Sequence, residues 1–250
     1  PAAMKSWFLP GILLVFCFGA RPLEWTPDVG LVAYYTFNHC DARDDSNGGS
    51  DGVLFGDPGC HCGVEGNALV FDGRNDYVTF FGQVNRYFNS SDFTLSFYFR
   101  PEGSSAFPQS LLSKRAACDE AAQLDFHLDA LRQRVEVSFR NGPYAAYRNL
   151  SPPLPGTEWV HVALVREGSI ARTYVNGHLY VEVNRCSGLD IDNAAELAFS
   201  NSPCVRGGGS VRFRGRLDQL RVYDRALSPA QIAALYRLFP LHRAELDCLS

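Results

Sequence analysis

Apolar and polar residues alternate with a period of two through much of the chain. In Arg134-Val135-Glu136-Val137-Ser138-Phe139-Arg140 three apolar side chains fall on one face and charged or hydroxyl groups on the other. That is the pattern of a strand with one buried face, and Phe93-Thr94-Leu95-Ser96-Phe97-Tyr98-Phe99 repeats it. Similar short, aromatic or β-branched runs bounded by turn residues fall at 31–37, 68–72, 77–80, 124–128, 159–166, 171–175, 179–183, 197–200 and 211–223. Asn176-Gly177, between two such runs, supplies the positive φ that a two-residue hairpin demands. About a dozen short strands with no interleaved helices predict an all-β, two-sheet antiparallel sandwich. One helix is predicted near the end. Ser228-Pro229-Ala230-Gln231 has the capping-box arrangement, and Ile232, Leu235 and Tyr236 form a stripe that docks a short helix on the sandwich.

Composition agrees with that class. The 250 residues are 46% hydrophobic, enough to bury a sizeable core, and 22 glycines with 14 prolines suit many tight turns rather than a helical bundle. The net charge is −4 and no block of like charge occurs, which argues against a nucleic-acid partner and a polybasic membrane anchor. Met4, Lys5 and the apolar run Trp7–Ala20 read as an export signal over residues 1–20; the run is short and broken by Pro10 and Gly11, so it is not expected to span a membrane. A rival is lipidation at Cys17, against which bulky Phe16 stands where a small residue is expected. Residues 21–30 read as a linker, 31–237 as the domain and 238–250 as a tail. The expected location is secreted or cell-surface, with no transmembrane anchor in the mature chain.

In an exported chain disulfides are the default use of cysteine. Loss of Cys17 with the signal leaves Cys40, Cys60, Cys62, Cys118, Cys186 and Cys204 within the domain, and Cys248 beyond it. Cys186–Cys204 is the expected pair, bracketing a compact stretch between two strand runs, while Cys40 meets Cys60 or Cys62. Cys248 is left over, as a free thiol or the mark of a chain cut from something longer. A metal cluster at His39-Cys40 and Cys60-His61-Cys62 is disfavoured, because the spacing is that of no zinc ribbon or finger.

Catalytic patterns are weak. No Glu-x-Asp-x-Glu run places carboxylates together on one side of a strand, as the paired carboxylates of a retaining glycosidase would require there, and Asp125 in Leu124–Leu128 stands alone. There is no Gly-x-Ser-x-Gly elbow, and Gly207-Gly208-Gly209 lacks the Lys and Ser/Thr of a phosphate loop. His127, His161 and His178 read as packed or surface histidines, and Asp190 and Asp192 as turn residues. Tyr98, Tyr144, Tyr147 and Tyr180 could stack on a sugar but are more ordinary as packing. Asn89-Ser90-Ser91 and Asn149-Leu150-Ser151 fit the glycosylation pattern of a eukaryotic secretory pathway. Asp218 shares parity with Leu220 and Val222, so a regular strand points its carboxylate inward; it needs a partner there, or a bulge that turns it outward.

Five fragments occur in an order that resembles one family. They are Leu31–Asn38, the loop Asp44–Gly52, Leu69–Val78, Trp159–Ala163 with Tyr174–Gly177, and Gly215–Ser228. Together they resemble the laminin-G-like, concanavalin A-like jelly roll of secreted bacterial proteins, and Cys60-His61-Cys62-Gly63 is similar to a disulfide-bearing subgroup. The resemblance implies a jelly roll and a non-catalytic binding or adhesion module that recognises a polysaccharide or an extracellular protein. The alternatives are a glycoside hydrolase of the same fold and a purely structural domain of a larger secreted protein. It also implies a structural Ca²⁺ held by Asn38, Asp44, Asp72 and Asp218, consistent with calcium's taste for six to eight oxygens.

Overall fold

The computed structural model describes residues 25–119, 121–142 and 145–246. The strands are β1 (Leu31–Tyr35), β2 (Gly52–Phe55), β3 (Gly59–Cys62), β4 (Asn67–Asp72), β5 (Tyr77–Phe80), β6 (Phe93–Pro101), β7 (Gln109–Lys114), β8 (Gln123–Asp129), β9 (Arg134–Asn141), β10 (Ala145–Leu150), β11 (Val160–Glu167), β12 (Ile170–Val175), β13 (His178–Asn184), β14 (Leu197–Phe199), β15 (Val211–Arg212) and β16 (Arg214–Tyr223). Two helices follow β14 and β16, α1 (Pro203–Arg206) and α2 (Pro229–Leu238). The first sheet runs β13-β12-β11-β6-β16-β4-β3, with β1 on β16. The second runs β10-β9-β8-β7-β14-β5-β2, with β15 beside β7. All pairings are antiparallel except β15 with β7, so the architecture is the expected jelly-roll sandwich with a short C-terminal helix.

The inward phase of each alternating run builds the core between the sheets. Leu95, Phe97 and Phe99 of β6 meet Phe126 and Leu128 of β8 and Val135, Val137 and Phe139 of β9. The polar phase then faces outward on both sides of the sandwich. Asn176 (φ 49°) and Gly177 (φ 77°) make the hairpin between β12 and β13. Ser228 Oγ accepts from Gln231 N–H at 3.3 Å and Gln231 Oε1 from Ser228 N–H at 2.7 Å, closing the capping box of α2.

Several elements depart from the sequence pattern. β2, β3, β7 and β10 carry no clean alternation: Gln109, Ser110, Ser113 and Lys114 of β7 are all buried, because the chain covers both faces of that strand. The run 211–223 is two strands in different sheets, crossing over at the buried Phe213. Cys186 does not meet Cys204. It is a free thiol in the core between the sheets, whereas Cys204 sits on α1 beyond the second sheet's outer face and pairs with Cys118. Eighty-six residues separate that pair, a loop whose closure stabilises by about 4–5 kcal/mol in the chain-entropy account. Cys40 pairs with Cys60, and Cys62 is disulfide-bonded as well.

The outer face of the first sheet is covered. Leu227, Ile232 and Leu235 lie on Ala163, Val165, Tyr174 and Tyr223, and beyond the helix Phe239, Leu241 and Ala244 lie on Val64, Tyr98 and Trp159. Residues 239–246, read from the sequence as part of a tail, are thus a fastened strap. Glu245 anchors it: its N–H donates to Gly63 O at 2.8 Å, and its carboxylate accepts from Trp159 Nε1 at 3.0 Å and pairs with Arg216 and Arg100. Trp25, in the stretch read as a linker, packs beside the same helix.

Candidate functional site

Four residues were expected to share a calcium ion, and the fold assigns each a different task. Asp218 is turned by a bulge at Gln219 (φ 52°), which shifts the register between Asp218 and Arg221. Leu217, Leu220 and Val222 therefore face the core while Asp218 faces outward, beneath the strap. Its Oδ2 accepts from Val64 N–H at 2.7 Å and Glu65 N–H at 3.3 Å, and Gly63 is required there because a Cβ would lie 2.2 Å from that oxygen. Burial raises the Asp218 pKa well above the usual carboxylate range. Asp44 organises its own turn, accepting from Tyr34 N–H (3.1 Å), Ser46 N–H (3.0 Å) and Ser50 N–H (3.1 Å). Asn38 Oδ1 accepts from Asn67 N–H at 3.1 Å. Asp72 caps an exposed turn through Arg74 N–H at 2.7 Å, the chief reason its pKa is held down.

Asp44, Asp72 and Asp218 do not gather into one group of carboxylates. Asp218 Oδ1 is buried without a hydrogen-bond partner among the described residues, and among those residues no group of three or more His, Cys, Asp or Glu converges as a metal site would require.

The chemistry gathers instead on the open outer face of the second sheet. On β8 the outward phase carries Asp125 and His127, and register places Ser138 of β9 beside Asp125 and Glu136 beside His127. His127 Nδ1 lies 3.4 Å from Asp125 Oδ2 and its Nε2 3.6 Å from Glu136 Oε2. Arg115 approaches Asp125 at 3.6 Å from one end and Arg148 pairs with Glu136 at the other, giving a row of alternating charge. Burial by itself would lower the His127 pKa, but its hydrogen bonds to the two carboxylates outweigh that and push it up to about 9. Glu136, despite burial, is held below the ordinary range by His127 and Arg148.

Beside this row lies a pocket of about 220 Å³. Gln123, Asp125 and Ser210 line it, and all three are buried, at 4%, 8% and 8% exposure. Gln123 Oε1, Asp125 Oδ1 and Ser210 Oγ have no hydrogen-bond partner among the described residues. A second pocket of about 240 Å³ lies beyond α1, lined by Thr79, Ser113, Glu196 and Arg206 among others. Farther along the same face, Phe55 and Tyr77 stack with ring centroids 4.5 Å apart, and Arg212 lies over Tyr77 at 4.4 Å.

Of the tyrosines considered from the sequence, Tyr98 is buried under the strap and Tyr180 is half exposed on β13. Tyr144 lies outside the described residues, as do Cys17 and Cys248. Glu136 was legible as the outward phase of its strand, yet only register shows that it faces His127. Gln123 and Ser210 had no signal, since their meeting depends on the loop that carries α1.

A sequence comparison with curated proteins finds no match. Solved structures with a similar fold include the binding domain of Paraclostridial Mosquitocidal Protein 1, at 15% identity and a TM-score of 0.71 over 85% of this chain. Domain 4 of AbnA, a GH43 extracellular arabinanase from Geobacillus stearothermophilus in complex with arabinotriose, is similar at 18% identity and TM-score 0.65, covering 82% of this chain and 98% of its own. The binding domain of botulinum neurotoxin serotype G is similar at 11% identity and TM-score 0.68 over 83% of this chain. This chain spans 53% and 51% of the two toxin domains. At such identities the likeness is one of fold. A family profile matches residues 72–233, from the end of β4 into α2. By that match the chain belongs to the concanavalin A-like lectin/glucanases superfamily.

Proposed function

We propose that the chain is a non-catalytic carbohydrate-binding module of an exported protein, and that it holds a neutral sugar in the Gln123–Asp125–Ser210 pocket. One observation carries this reading: Gln123, Asp125 and Ser210, each with a buried polar atom that has no partner among the described residues, line one pocket. Buried polar atoms are nearly always paired, and leaving one unpaired costs about 1–3 kcal/mol, so a cluster of them marks a place where a ligand completes the bonds. Two of the three, Gln123 Oε1 and Asp125 Oδ1, are acceptors. They call for a ligand rich in hydroxyl donors. The similar arabinanase domain is in complex with arabinotriose, which supports a sugar ligand. The disulfides support export.

A hydrolase is the second reading, since Asp125 and Glu136 share the face. Retaining and inverting glycosidases need one carboxyl group protonated at working pH. Glu136 is instead held low between His127 and Arg148, which suits a fixed binding surface. Glycan-array binding with calorimetric follow-up tests the reading. Wild type should bind neutral sugars saturably, and Gln123→Ala with Ser210→Ala should weaken binding by about tenfold or more, the worth of one good hydrogen bond, with the melting temperature retained. Equal binding by that double variant would remove the pocket from the account. Release of reducing sugar that Glu136→Gln abolishes would favour the hydrolase.

A further inference from the structure

We propose that this pocket takes the terminal unit of a glycan chain, not a stretch from its middle. The inference rests on the carbohydrate reading and adds what geometry the sugar must have. The face is continuous along the sheet, but it is crossed. Cys118 and Cys204 line the first pocket, and α1, which carries Cys204, lines the second through Pro203 and Arg206. The two pockets share one residue, Arg115.

Arg115 is no swinging gate. Its side chain is 6% exposed, its Nε donates to Ala117 O at 3.1 Å, a second nitrogen donates to Cys118 O, and a third lies 3.6 Å from Asp125. The disulfide ties the loop that bears Cys118 to α1, so a covalent wall stands between the two pockets and a chain held in the first cannot run on into the second. At about 220 Å³ the pocket is also smaller than the roughly 300–1,000 Å³ of sites for drug-sized ligands, which suits a single ring.

The donor count points the same way. A sugar in the middle of a chain has two of its oxygens committed to glycosidic bonds, while a terminal unit keeps one more free hydroxyl. Gln123 and Asp125, each with an acceptor that lacks a donor among the described residues, line the pocket, and the terminal unit offers them more donors.

The test uses the whole chain with its disulfides formed. Wild type is screened on an array of neutral and acidic glycans, each sugar offered as monomer, dimer, trimer and hexamer, and the strongest series is titrated by calorimetry. End recognition predicts a Kd per mole of chain that changes by less than about twofold from dimer to hexamer, because no further subsite is engaged. Affinity rising about tenfold or more along the series would overturn end recognition while leaving the carbohydrate reading intact. Absence of binding across the array would overturn both. Within the length-independent outcome, a Cys118→Ser, Cys204→Ser double variant that melts cooperatively should begin to favour the hexamer as the wall is released.

Discussion

Two histidines on the two outer faces of the sandwich are driven in opposite directions. His161, on β11, lies under α2 and the strap, fully buried, with Nε2 2.8 Å from Ser96 Oγ and its ring against Tyr98 and Tyr236. Burial, and then the Arg221 charge, lower its pKa to about 3. His127, on β8, sits on the open face between two carboxylates, with a pKa raised to about 9. The same residue type on the same polar phase of a strand is a neutral packing element in one place and a fixed cation in the other. What differs is the cover. The C-terminal strap converts one polar face into a second core, and nothing among the described residues does so for the other, which keeps its charges and its pocket open to ligand.

The contrast is broken most severely at Asp218. Asp218→Ala leaves the buried Val64 amide and the part-buried Glu65 amide without that acceptor, and should destabilise the fold by about 2–4 kcal/mol in urea melts. Gln123→Ala, on the open face, should cost within about 1 kcal/mol, because its oxygen has no partner among the described residues to lose. Equal losses at both positions would erase the distinction between the faces.

Acid comes next. Below pH 6.5 the unfolded chain takes up a proton at residue 161 that the folded chain refuses until about pH 3. About 3 kcal/mol should therefore be lost between pH 6.5 and 4 on this account, seen as a steeper fall in melting temperature for wild type than for His161→Asn.

Alkali acts on the other face. His127 holds its proton in the folded state after the unfolded chain has released it, so its contribution is full below pH 6.5 and is lost as pH rises through about 9. The loss should be about 2–3 kcal/mol, roughly 5–10 °C in melting temperature, and absent from His127→Gln.

The smallest effect concerns calcium. Saturation of a structural site would raise stability by about 2.7 kcal/mol at a hundredfold excess over Kd, several degrees of melting temperature. The dispersed placement of Asn38, Asp44, Asp72 and Asp218 predicts a shift under about 1 °C on adding calcium or a chelator. A rise of several degrees, lost in Asp44→Ala, would restore the ion to the account.

Alternation carried the fold in the sequence, because the period of two is local: it needs only which residues are apolar. It therefore predicted β6, β8, β9 and β11, the Asn176-Gly177 turn and the capping box of α2. The same locality is why the parity argument failed at Asp218. A single left-handed residue, Gln219, flips the phase of everything beyond it, and nothing in Leu217-Asp218-Gln219-Leu220 announces the bulge. β7 was missed because cover on both of its faces removes the contrast that alternation reads.

Class, strand phases, helix and the resemblance to the superfamily were thus determined by the order of residues alone. Tertiary structure decided which outward face would be covered, that Cys204 would reach Cys118 across 86 residues instead of neighbouring Cys186, and that Gln123, Asp125 and Ser210 would meet. Those outcomes depend on strand register, loop closure and the path of the last residues. They are contacts between segments far apart in the chain, which no local pattern encodes.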